Sequence, residues 1–114
     1  MSEAIPNSMT DVAELLNQYA AGKRDFTSIE LGAVDLKATD LKGADLSYAE
    51  LSGADLSGAN LRGVDLSYAN LNETNLNGAN LRGAILIGTD LRHAKLETAD
   101  LREADYDPDT THFP

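Results

Sequence analysis

Leucine recurs at every fifth position from Leu31 to Leu101, fifteen in succession, with Phe26 opening the same register and Tyr106 closing it. Two residues before each centre stands a small or β-branched side chain, as at Ile29, Val34, Ala44, Ala54, Val64, Thr74 and Ala84; Arg24 alone departs from this. A period of five matches neither the 3.6 of a helix nor the 2 of a strand. In an extended chain, positions i−2 and i point to the same side, so the small residue and the leucine both face inward while i−1 faces out. Five is odd, so strict alternation would carry the next leucine outward. The remaining residues must therefore turn a corner, and glycines two after a leucine, such as Gly43, Gly58 and Gly88, suit that bend. Repeated bends of one hand wind the chain into a solenoid.

The number of sides follows from self-similarity. Residues 45–63 match the segment 20 residues later at 13 of 19 positions, against 12 at a shift of 10, 9 at 25 and 8 at 15. A coil of ten residues would reverse at each bend with almost no interior to fill, which leaves four sides per coil. Residues 24–106 thus form about four coils of an all-β solenoid.

Ahead of the repeat the period changes. Val12, Leu15, Leu16, Tyr19 and Ala20 share one face of a short amphipathic helix, with Thr10 or Asp11 to cap its start and Gly22 to end it. The chain divides into a tail and helix over 1–23, the solenoid over 24–106 and a turn-rich tail over 107–114. A solenoid exposes unpaired edges at both ends. Val12, Leu15, Leu16 and Tyr19 are expected to cap the first coil beside Phe26 and Leu31. At the other end only Tyr106 and Phe113 are available to close the core. That end is the expected site of self-association, giving a monomer or a weak dimer.

Composition narrows the function. Nineteen acidic residues against nine basic give a net charge of −10, which opposes direct nucleic-acid binding and favours solubility or a basic partner. With no cysteine there is no disulfide, thiol nucleophile or thiolate metal site. The N-terminal residues show neither the basic nor the apolar region of a secretion signal, and no stretch approaches a membrane span, so a cytoplasmic protein is expected. His93 and His112 stand 19 residues apart with no ligand-like spacing around them, and they read as solvated surface groups. Neither a metal nor a cofactor is implied. A convex rod filled with leucine offers no cleft in which paired acids could work, so no enzyme is expected.

With 20 residues per coil, Lys42, Arg62, Arg82 and Arg102 form a basic column, read as a solvated ladder. Acidic i−1 residues concentrate toward the N-terminal end. One unit breaks the pattern: Ala84–Gly88 puts Ile85 where every other unit but one carries an acid or Asn, and Ile87 also faces out. Together with Tyr48 and Tyr68 these isoleucines form an apolar patch, a candidate partner-binding surface unless the C-terminal tail covers it through Phe113.

The units of the form A-(D/N)-L-x-x, as in residues 54–63 (ADLSGANLRG), resemble the pentapeptide-repeat proteins, and the flanking segments resemble those of cyanobacterial members. The resemblance implies a right-handed quadrilateral β-helix with the leucine and the small residue inward. It also implies that members of this kind often continue beyond the Phe113-Pro114 pair. The function expected is a non-catalytic protein–protein interaction or scaffold module with an unidentified protein partner. The alternative is a DNA mimic that binds and modulates a type II topoisomerase, as some relatives do. Four coils reach only about six base pairs at ~3.4 Å each, and the basic column spoils a duplex-like surface.

Overall fold

A computed structural model describes residues 12–114, so the expected helix caps Thr10 and Asp11 lie outside the described residues. Thirteen of the fourteen isolated parallel bridges join residues 20 apart, from Asp25 to Asp45 up to Ile85 to Asp105. That spacing sets four five-residue units to a coil. Side 1 carries the centres Phe26, Leu46, Leu66 and Leu86; side 2 Leu31, Leu51, Leu71 and Leu91; side 3 Leu36, Leu56, Leu76 and Leu96; side 4 Leu41, Leu61, Leu81 and Leu101. The two shorter extents of the molecule, 22 and 19 Å, are those of a single narrow tube.

One unit stands for most of the others, the unit around Leu31 differing in that its Val34 N–H donates to the Gly32 carbonyl (2.9 Å). In the unit around Leu46 the N–H of Asp45 donates back to the Arg24 carbonyl (2.8 Å), while those of Leu46 and Tyr48 donate forward to Asp65 and Ser67 (both 2.8 Å). The Ala49 N–H closes a turn on the Leu46 carbonyl (3.0 Å). The third residue of nearly every such turn has positive φ, as Tyr48 does at 61°. Glycine is at home there, yet Ser28, Ala38, Tyr48, Tyr68, Glu73, His93 and Glu103 adopt the same conformation.

In most units an Asp or Asn before the leucine holds the bend; Glu30, Glu50, Ile85 and Lys95 take that place in the others. The Asp65 carboxylate accepts the Ser67 N–H (2.9 Å) and hydroxyl (2.6 Å), and the Asn80 side-chain oxygen accepts the Arg82 N–H (3.0 Å). These are Asx turns, so the acid-or-Asn position is a requirement of the corner as well as a source of charge.

Leu36 through Leu91 are each no more than 1 % exposed, and the core is continuous with the inward alanines. Leu31, Leu96 and Leu101 are only half-buried because they lie in the end coils, where one neighbouring layer is missing. The inward threonines remain satisfied: Thr74 donates to the Leu71 carbonyl (2.8 Å) and Thr89 across coils to that of Leu66 (2.7 Å).

Helix α1 (Val12–Ala20) lies over the first coil, with Leu15 fully buried and Val12, Leu16 and Tyr19 packed against the core. It ends at Gly22 (φ 105°), where Lys23 N–H donates to Gln18 and Gly22 N–H to Tyr19 in the Schellman pattern. Arg24, the exception at an inward position, turns outward with its guanidinium 3.7 Å above the Tyr19 ring, and Tyr19 in turn donates its hydroxyl to the Lys42 carbonyl (2.7 Å).

At the far end the tail folds back. His112 takes a bridge to Asp90, 22 residues away, and Thr111 buries its hydroxyl on the Leu86 carbonyl (2.6 Å). Two residues more than a regular coil separate these partners, and the Asp107–Thr111 turn absorbs them.

Candidate functional site

The corner between sides 1 and 2 carries, coil by coil, Ser28, Tyr48, Tyr68 and Gly88. The rings of Tyr48 and Tyr68 stack with centroids 5.3 Å apart and planes 15° from parallel. They are 59 % and 51 % exposed. Tyr68 in turn leans over Gly88, where a Cβ would overlap its ring. Gly88 is therefore the floor of the stack, a role not foreseen from the sequence. Its signal was there: glycine replaces tyrosine in the next coil of the same column.

Ile85 and Ile87 lie on side 1 in the coil beyond Tyr68, both half-buried. The Tyr68 N–H donates to the Ile87 carbonyl (2.8 Å), so this segment is a direct neighbour of the stack. At Ile85 the outward side chain has no acceptor for the N–H of Ile87, and the unit lacks the hydrogen bond that Asp45 and Asp65 give theirs. Phe113 packs edge-on against Tyr106, centroids 5.3 Å apart, and both rings are exposed. The tail's contact near the patch comes instead from the Thr110 hydroxyl, which accepts the Gly88 N–H (3.1 Å).

The basic column runs along side 4. Arg82 donates to Glu103 (2.7 Å), Arg102 grips Asp100 through two bonds (2.9 and 2.7 Å), and Lys42 and Arg62 are exposed. Side 2 has an equivalent pair, Arg92 on Asp90 (2.9 and 2.8 Å). Hydrogen bonds from these guanidinium groups hold Asp90 and Asp100 down to about 2, against an ordinary 3.8. Glu103 is lowered by Arg82, and Asp25 and Asp55 by the hydroxyls and N–H groups of Thr27 and Ser57. Each cause is a turn or an exposed ion pair. Among the described residues no group of three or more His, Cys, Asp or Glu side chains could hold a metal ion.

Eight copies of the family described as pentapeptide repeats match residues 25–63 and 65–102. The chain belongs to the pentapeptide-repeat family. It is similar to alr5209, a pentapeptide repeat protein from Nostoc PCC 7120, at 54 % identity and a TM-score of 0.88, over 90 % of this chain and 84 % of that one. It is also similar to Rfr23 from the cyanobacterium Cyanothece 51142, at 36 % identity and a TM-score of 0.53, over 77 % of this chain and 63 % of that one. A third structure is HetL of Nostoc sp. strain PCC 7120, involved in heterocyst differentiation regulation, at 42 % identity and a TM-score of 0.50, over 84 % of this chain and 47 % of that one. No curated protein matches the chain. No helix among the described residues is long and apolar enough to cross a membrane.

Proposed function

We propose that this chain is a non-catalytic interaction module whose recognition surface is the corner of Tyr48 and Tyr68 together with Ile85 and Ile87. One observation carries the reading. Two stacked tyrosines, each more than half exposed, occupy positive-φ positions that glycine fills at no steric cost elsewhere in the same solenoid. Such placements cost on the order of 1 kcal/mol each, and of the seven non-glycine residues that adopt them among the described residues only these two set exposed aromatic rings side by side. The likeness to HetL, a protein tied to regulation of differentiation, supports a regulatory role over a catalytic one.

On this reading the coil is right-handed, as the family resemblance implies, and the protein works in the cytoplasm. The C-terminal end, with Leu96, Leu101, Tyr106 and Phe113 incompletely covered, is where a weak dimer would form. Duplex mimicry draws no support from side 4, whose basic column has no counterpart in a phosphate backbone.

The test is the double variant Ile85→Ser/Ile87→Ser, immobilised beside the wild type and exposed to lysate of the source organism. The variant should keep its melting temperature within a few degrees and lose the protein that the wild type retains. Reduced stability with retention unchanged would refute the interaction surface.

A further inference from the structure

The charge on the solenoid is unevenly divided, and the division bears on what the corner recognises. Counted unit by unit over residues 24–106, sides 1 and 2 carry eight acidic side chains against two basic ones, whereas sides 3 and 4 carry six of each. Both basic groups on the acidic half are already engaged. Arg92 is held by Asp90, and Arg24 lies over Tyr19 while donating to the Tyr19 carbonyl (2.9 Å). The tyrosine stack stands at the corner where the two acidic sides meet. Among the described residues neither phenol hydroxyl has a hydrogen-bond partner, so the ring tips of this exposed stack are placed to meet something outside the chain.

An exposed aromatic face attracts a cation, and arginine does this best because its planar guanidinium also stacks. Tyrosine is a suitable anchor, since it presents a large rigid surface with only two side-chain torsions to fix. The surrounding carboxylates steer a positive partner toward this half and away from the neutral half.

We propose that the corner between sides 1 and 2 docks an extended, arginine-bearing segment of a partner protein. A guanidinium of that segment lies against the Tyr48–Tyr68 stack, and its other charges face the acidic columns to either side. This inference rests on the interaction-module reading and names the chemistry the partner brings.

The probes are fluorescein-labelled hexa-arginine and hexa-lysine peptides, titrated at low ionic strength into the wild type and into Tyr48→Gly/Tyr68→Gly. Glycine tolerates both backbone positions, so the variant should keep its fold, which its amide spectrum checks. Hexa-arginine should bind the wild type several-fold more tightly than hexa-lysine, and the double variant should lose about tenfold for arginine. Amide shifts on titration should centre on residues 45–50 and 65–70. Equal affinity for the two proteins, shifts along sides 3 and 4, or no binding at all would overturn the arginine assignment. The interaction-module reading would survive those results, because it is judged by retention of a partner on the isoleucine variant.

Discussion

At the scale of single residues, two kinds of position bear most of the geometry. The first is the turn residue of positive φ, filled by glycine or by a side chain that tolerates strain there. The second is the Asp or Asn before most of the leucines. From the sequence that position is an outward carboxylate or amide that keeps the rod soluble; in the structure its oxygen caps the next bend. The missing information was directional, because spacing alone does not say that a side chain folds back onto a backbone N–H two residues on. Asp65→Asn, which keeps the acceptor, should leave the melting temperature nearly unchanged. Asp65→Ala should cost about 1 kcal/mol by removing the bonds to Ser67. Thermal melts of the two variants side by side decide it, and equal melting would show that the carboxylate serves only as charge.

At the scale of elements, a unit is no more than one bridge and one turn, and no unit is stable alone. Stability comes from stacking, so damage inside the stack spreads. Leu61 is fully buried among neighbours from the coils before and after, and Leu61→Asp should unfold the solenoid cooperatively. A variant melting within a few degrees of the wild type would contradict that. Helix α1 lies at the end of the array and fails differently. Leu15→Ala removes its one fully buried side chain, at a cost of about 2–5 kcal/mol, and should uncover the first coil's edge. Hydrogen exchange should then rise first around Phe26 and Leu31, with the middle coils still protected. The helix was legible because its apolar positions share one face, and its left-handed end was legible from Gly22. The outward turn of Arg24 was not, because it depends on where the Tyr19 ring comes to rest.

At the scale of the molecule, charge and acid response follow from how the columns stack. Asp90 and Asp100 ionise near 2 in the folded state because Arg92 and Arg102 bond them, whereas the unfolded chain has the ordinary 3.8. A folded-state value below the unfolded one gives stability that is fully present above about pH 4 and is lost as pH falls toward 2. Both carboxylates are near the surface, so the effect is screened and modest. Melts across pH 2–7 should show a decline between pH 4 and 2 that is smaller in Arg92→Gln/Arg102→Gln. An identical decline in that variant would place the acid sensitivity elsewhere.

The period of five, the inward leucines, the four-unit coil and the capping helix are all written in residue order, since each depends on side-chain size and spacing repeated in one register. The basic column and the Tyr48–Tyr68 alignment followed once that register was known. Only the tertiary structure decided which groups meet across coils and at the ends. It set Tyr68 over Gly88, turned the tail so that His112 bridges Asp90, and laid Phe113 against Tyr106. These contacts depend on ring orientation and on where irregular chain comes to lie, and a repeat carries no record of either.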